Sequence, residues 1–291
     1  MVVFPNCKVN LGLRIVDKRN DGYHNIETVF YPLPWYDALE VLPLTEKVRQ
    51  SIHLSKQIKY QIDNILFVQS GLDIKGNPAD NLCVKAFQLL KEKFPSLLPV
   101  FIHLHKVLPI EAGLGGGSAD AAIALKTMMQ LFDLNITTNQ LENLALQLGS
   151  DCPFFLYNQP CIASARGEKL QPIQINLNNY NWILINPGIA VSTAWAFSQI
   201  KPQQPKEKIE DIIYQPIEHW KGKLINDFEE PVFAKFPDIK KIKQLLYDEG
   251  ALYASLSGSG STVYGIFPLD TKPNFRFPSS YIVKTIMNTH K

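Results

Sequence analysis

The chain has 291 residues, 46% of them hydrophobic, which is enough to bury a sizeable core in one large domain or two. Its 29 Lys and Arg against 27 Asp and Glu leave a formal charge of +2, so no strong overall field points to nucleic acid or an anionic membrane surface, and any anion must be bound locally. No apolar run reaches the roughly eighteen residues of a membrane span, and the start of the chain, with Lys8 and Arg14, has no long apolar stretch; a cytoplasmic protein is the expectation. The four cysteines, Cys7, Cys83, Cys152 and Cys161, form no C-x-x-C pair and are expected to be buried free thiols.

Residues 2–16 mix β-branched and apolar side chains around Cys7-Lys8-Val9-Asn10-Leu11 and predict a strand or the first arm of a hairpin. Lys8 is unusual in that setting; alone it also reads as a lysine whose ammonium reaches water. Asn20-Asp21-Gly22 marks a tight turn leading to Tyr23 and His24. Short strands are predicted over 37–43, 51–55 and 64–74. Asn77 to Asn81 reads as a helix start, followed by a stripe of Leu82, Ala86, Leu89 and Leu90. Residues 100–106 alternate, with Val100, Ile102 and Leu104 on one face and Phe101, His103 and His105 on the other, and predict a strand.

Next comes Pro109-Ile-Glu-Ala-Gly113-Leu114-Gly115-Gly116-Gly117-Ser118, and from Ser118 the sequence turns into a helix former as far as Phe132. Glycines at 113, 115, 116 and 117 open backbone conformations closed to other residues and strip away side chains that would keep an anion from the main-chain N–H groups. A helix starting there turns its positive dipole end into the loop, so strand, glycine loop and helix together predict a phosphate cradle. No Lys follows as a Walker loop requires, and Ser118 stands where the dinucleotide fingerprint needs glycine. Thr137 to Gln140 forms a capping box for a helix carrying Leu141, Leu144, Ala145 and Leu148 up to Gly149. Asp151 follows directly, ahead of Cys152-Pro153-Phe154-Phe155. Residues 201–223 read as a Lys-, Gln- and Pro-rich connection, Asp238 as the cap of a helix over Ile239, Ile242, Leu245 and Leu246, and 257–262 as a Gly/Ser turn between strands at 252–256 and 263–267.

The run from Pro109 to Ala122 resembles the second motif of the GHMP kinases, a family of small-molecule kinases that includes galactokinase, homoserine kinase and mevalonate kinase. Lys8-x-Asn10 is similar to the family's first motif, with Cys7 where Ala is common, and Gly258-Ser-Gly-Ser261 to its third. Asp21-Gly-Tyr23-His24 with Glu27 and Thr28 resembles the cytidine-binding segment of one branch, and Gly149-Ser-Asp151-x-Pro-Phe-Phe its catalytic segment. The resemblance spans most of the chain.

It implies an α+β fold of two domains, an N-terminal ATP-binding domain over 1–156 and a C-terminal domain over 157–291, with the active site in the cleft between them. It implies ATP as phosphoryl donor with Mg²⁺, and as acceptor the C2 hydroxyl of a cytidine diphosphate-linked methylerythritol, in isoprenoid precursor synthesis by the non-mevalonate route. Lys8 and Asp151 are then the catalytic pair. Pro109, Gly113, Leu114, Gly115, Gly116, Gly117 and Ser118 would hold the nucleotide phosphates, and Asn81 and Lys106 would lie beside it. Asn10, Tyr23, His24, Gly258 and Ser259 would face the acceptor, with Phe197 or Trp195 closing the far side of the base. Ser118 is the candidate metal contact. A monomer or weak homodimer without nucleic-acid or membrane partners is expected. Another GHMP kinase acting on homoserine, mevalonate or a sugar, or a silent nucleotide-binding module, would share the glycine loop.

Overall fold

The computed structural model describes residues 1–53, 59–205 and 207–288, and the fold is α+β. The chain divides into two compact units: the first takes Met1–Cys7, Tyr36–Ile110 and Gly116–Asn158, the second Lys8–Trp35, Glu111–Gly115 and Gln159–Lys291.

In the first unit a five-stranded sheet runs, in spatial order, Val2–Val3, Ala38–Pro43, Val100–Lys106, Ile65–Gly71 and Lys59–Ile62. Val100–Lys106 pairs in parallel with Ile65–Gly71 and antiparallel with Ala38–Pro43. Alternation along Val100–Lys106 buries Val100, Ile102 and Leu104 on one face, while Phe101 on the other joins Leu44 and Val68 in a small cluster. Among the described residues the unit has five α-helices: α1 (Glu46–His53), α2 (Leu82–Lys93), α3 (Gly116–Leu131), α4 (Thr138–Leu148) and α5 (Cys152–Tyr157). Asn81 caps α2 by accepting the Cys83 N–H at 2.9 Å. In α3 the small residues Ala119, Ala121, Ala122 and Ala124 let the helix bury nearly all round against α2, α4 and α5. The capping box of α4 forms as its sequence predicts, Thr137 and Gln140 satisfying each other's backbone N–H.

The strand expected over 51–55 is corrected by the structure. Residues 51–53 close α1, whose start is held by Thr45 Oγ accepting the Val48 N–H and by a Glu46–Arg49 pair one turn apart. Residues 54 and 55 lie outside the described residues.

The second unit carries two four-stranded sheets, ordered Asn6–Lys18, His24–Tyr36, Cys161–Ala165, Lys169–Pro172 and Tyr253–Leu256, Val263–Pro268, Tyr180–Asn186, Ile282–Ile286. Helices α6 (Thr193–Ser198), α7 (Ile209–Ile213), α8 (Glu229–Lys235) and α9 (Pro237–Asp248) belong to it. Ile239, Ile242 and Leu246 form the buried stripe of α9 and pack with Leu13, Ile15, Ile183, Ile185, Val263 and Phe267 into one core. Each side chain so buried contributes roughly 1.5–3 kcal/mol. Asp238 does not cap α9; it lies within the first turn and pairs with Lys241, because Pro237 already occupies the first helical position. All four cysteines are buried free thiols.

Candidate active site

In the second unit the strand Asn6–Lys18 brings Lys8 and Asn10 onto one face, since alternate residues of a strand point the same way. Lys8 is only 4% exposed, and its ammonium donates to Asn10 Oδ1 at 2.6 Å while lying 4.5 Å from the centroid of the Phe30 ring. Asn10 Nδ2 donates to Thr28 Oγ1 at 3.0 Å, and that hydroxyl donates to the Gly12 carbonyl at 2.5 Å. The Asn10 carbonyl accepts the Tyr264 hydroxyl at 2.7 Å. Asn10 therefore has no freedom to turn, and the lysine is aimed by a fully satisfied polar chain.

The same network reaches both glycine segments. Ser257 Oγ accepts the Asn10 N–H at 3.3 Å and donates to the Gly113 carbonyl at 2.7 Å, and the Lys8 N–H donates to the Leu114 carbonyl. Gly113 is in the left-handed region, φ +76°, and a Cβ there would run into the Ser257 carbonyl oxygen, so only glycine fits. Gly258 lies against Gly113 in turn, and Ser259 shares a hydrogen bond with Thr193. The turn itself is held from behind by the Asn226 carboxamide, which donates to the Leu256 and Gly258 carbonyls at 2.8 Å each.

Tyr23 is 56% exposed at the end of the Asn20–Gly22 turn, with Arg166 above its ring at 5.1 Å. The His24 imidazole stacks on Phe197, centroids 5.0 Å apart and planes 18° apart, and Phe197 is braced edge-on by Phe228. Burial, followed by nearby Lys18, holds the His24 pKa below its ordinary value, so the ring is neutral at pH 7 and able both to donate and to accept. Of the two aromatics open at the sequence level, Phe197 is the one beside His24; Trp195 packs against Phe236 under Lys235.

In the first unit α3 begins at Gly116, two residues before the sequence expectation, because the glycines themselves enter the helix. Gly117 is exposed and lies against Leu82, the residue after Asn81, so the capped start of α2 and the start of α3 are neighbours. Asp151 directly precedes α5 in the segment after Gly149, without capping it. A Cβ on Gly149 would lie 3.9 Å from Ser118 Oγ and 3.5 Å from Cys152 Sγ, which sets the Asp151 segment beside the start of α3. Burial pushes the Cys152 thiol up to about 12, against a hydrogen bond from Ser118 that pulls the other way, leaving it an inert packing group.

Lys106 is enclosed by two carboxylates. It is 4% exposed, and its ammonium lies between Asp37 Oδ2 at 2.5 Å and Asp120 Oδ2 at 2.7 Å, with those carboxylates 1% and 2% exposed. Burial alone would lower the Lys106 pKa, but the two carboxylates outweigh it and raise it; burial raises that of Asp120. Asp37 and Asp120 carry no sequence signal beyond an acid set among apolar residues, Trp35 and Leu39 around one and four alanines around the other.

Among the described residues no group of three His, Cys, Asp or Glu could hold a metal alone. A magnesium ion carried largely by phosphate oxygens and water needs only one or two protein oxygens, and the half-buried Ser118 hydroxyl at the start of α3 fits that demand. No helix among the described residues is long and apolar enough to cross a membrane.

A glycine loop held against a Gly/Ser turn and running into a helix start, with the buried Lys8 bonded to the same loop, is the arrangement of a phosphotransferase of small molecules. Residues 81–159 match the GHMP kinases N terminal domain and residues 217–276 the GHMP kinases C terminal domain. The chain belongs to the GHMP kinases. It is 48% identical over 275 residues to a 4-diphosphocytidyl-2-C-methyl-D-erythritol kinase of Bacteroides thetaiotaomicron, and 47% identical over 272 residues to one of Bacteroides fragilis, each match covering 94% of both chains. A crystal structure of 4-(cytidine 5'-diphospho)-2C-methyl-D-erythritol kinase is similar with a TM-score of 0.72 at 30% identity, covering 91% of this chain and 90% of that one.

Proposed function

We propose that the protein transfers the γ-phosphoryl group of ATP to the C2 hydroxyl of 4-diphosphocytidyl-2-C-methyl-D-erythritol, giving the 2-phosphate and ADP, a step of isoprenoid precursor synthesis by the non-mevalonate route. The observation that carries this reading is the stack of His24 on Phe197 beside the exposed ring of Tyr23. A pyrimidine can lie on such aromatic surface while a neutral imidazole reads its polar edge, which is how unpaired bases are generally held. The relatives that share this chain's length and nearly half its residues support the same acceptor.

Phosphoryl transfer leaves little covalent chemistry to the protein, so positioning and charge neutralisation supply the rate. The amides of Gly113 to Ser118 hold the β- and γ-phosphates, Gly116 and Gly117 doing so at the positive end of α3. Asn81 and Pro109 flank the nucleotide. When bound at Ser118 and the phosphates, Mg²⁺ neutralises the charge gathered there.

Asp151 accepts the proton of the acceptor hydroxyl, and Lys8 offsets the charge that develops on its oxygen. A tertiary alcohol is a weak acid and a crowded nucleophile, so a base and a fixed cation both lower the barrier. Asn10 sets the direction of the cation through the 2.6 Å hydrogen bond, and Gly258 and Ser259 line the acceptor. Phosphorus and carbon NMR of the product is the test: a phosphomonoester coupled to the quaternary C2 carbon is expected, and phosphate on any other oxygen contradicts this arrangement.

A further inference from the structure

The strand Val100–Lys106 puts Lys106 at the end of its inward row, behind Val100, Ile102 and Leu104. An ammonium in that position loses its water and is costly unless its partners are complete. Both partners come from places that matter to the phosphate loop. Asp37 immediately precedes the neighbouring strand; its Oδ2 takes the ammonium, and its Oδ1 accepts the Val107 and Leu108 N–H groups at 2.6 and 2.8 Å. Those are the first residues of the loop. Asp120 comes from the second turn of α3, just past the loop's far end.

Lys106 is held by its backbone as well. Its carbonyl accepts the Leu72 N–H at 2.8 Å, and Gly71, φ +79°, has no room for a side chain against that oxygen. On the helix side a Cβ on Gly116 would stand 3.0 Å from Lys106 Nζ and 3.3 Å from Leu108 Cβ, so the first residue of α3 rests on the ammonium. The chain leaves the first unit at Ile110 and re-enters it at Gly116. Both flanks of that excursion are therefore tied to one buried charge.

We propose that Lys106, with Asp37 and Asp120, is a positioning cluster that fixes the spacing between the end of the strand and the start of α3, and so presets the phosphate loop for ATP. The idea rests on the kinase reading for the identity of the ligand. It gives Asp37 and Asp120 a task in nucleotide affinity, and it separates the two substrates: Asp37, Lys106, Asp120 and the start of α3 belong to the first unit and the acceptor groups Tyr23, His24 and Phe197 to the second, so loosening the cluster weakens ATP alone.

The test compares Asp120→Ala, which removes the tie, with Asp120→Asn, whose amide oxygen still accepts from the ammonium. Asp120→Ala is expected to raise the KM for ATP roughly tenfold, about the worth of one hydrogen bond to a charge, with the acceptor KM unchanged, while Asp120→Asn recovers most of the affinity. Amide hydrogen exchange on the free protein gives a second readout, faster exchange in Asp120→Ala confined to residues 107–120. An ATP KM unchanged in Asp120→Ala, equal losses on both substrates, or faster exchange across the whole first unit would overturn the proposal. Should Asp120→Ala fail to fold, Lys106→Gln, which keeps a donor for one carboxylate, decides by the same two measurements. Native protein that binds no ATP by calorimetry would instead count against the kinase reading.

Discussion

The Lys8 ammonium meets Asn10 Oδ1 at 2.6 Å, two residues along the same strand, and Asn10 in turn is immobilised through Thr28, Gly12 and Tyr264. If this lysine stabilises developing charge, Lys8→Met keeps ATP binding and loses roughly two or more decades of kcat, the scale of groups acting in proton and charge transfer. Asn10→Leu leaves the charge but not its aim, and kcat is expected to fall about tenfold with the ATP KM unaffected. Steady-state kinetics in both substrates check each value; near-native kcat in Lys8→Met contradicts its role.

Asp151→Asn preserves the shape of the segment after Gly149 and removes the base. Turnover is expected to drop by roughly two or more decades while ATP affinity, measured by calorimetry, stays within about twofold of native. A mutant that turns over normally would take the proton elsewhere.

The His24–Phe197 stack makes a pH prediction with a definite sign. Because burial depresses the His24 pKa, its neutral form is favoured in the folded protein; the corresponding stability is present above about pH 6.5 and is lost as pH falls through the lower folded value. Acceptor kcat/KM is expected to fall on that acid side as the imidazolium forms, and in His24→Gln this acid limb should flatten. An unchanged limb in the variant would assign it to another group.

Removing aromatic surface should act on one substrate only. Phe197→Ala and Tyr23→Ala each raise the acceptor KM by about 5- to 160-fold, from a stacking contribution of roughly 1–3 kcal/mol per base, and leave the ATP KM alone. Trp195→Ala, in contact with Phe236 and Lys235 instead, should change the acceptor KM little.

Gly113→Ala tests how tightly the turn after Leu256 abuts the glycine loop. The left-handed φ alone costs about 1–2 kcal/mol, and the clash with the Ser257 carbonyl adds to it, so thermal denaturation should show a midpoint lower by at least about 3 °C.

The parts legible in the sequence are those where the backbone itself does the work. Glycines at 113 to 117, the Asn81 cap and the Thr137–Gln140 box announce their geometry because so few residue types permit it. Lys8 and Asn10 were legible as strand neighbours on one face. Asp37 and Asp120 were not, since an acid bound for a buried ammonium has the same letter as one bound for water, and its partner, Lys106, lies 69 and 14 residues away. Phe197 and Trp195 differ by two positions in a short helix, which turns them to different sides; only the packing of α6 tells which one meets His24. Residues 51–53, the end of α1, read as part of a strand because Ile52 alternates with polar neighbours, and the capping threonine before the helix carries the opposite signal.

The most direct test of the account is ATP consumption with Mg²⁺ in the presence of 4-diphosphocytidyl-2-C-methyl-D-erythritol, mevalonate, homoserine or galactose under identical conditions. The account predicts turnover with the cytidyl compound alone. Turnover with one of the others in its place would leave the phosphate loop standing and contradict the acceptor site built on Tyr23, His24 and Phe197.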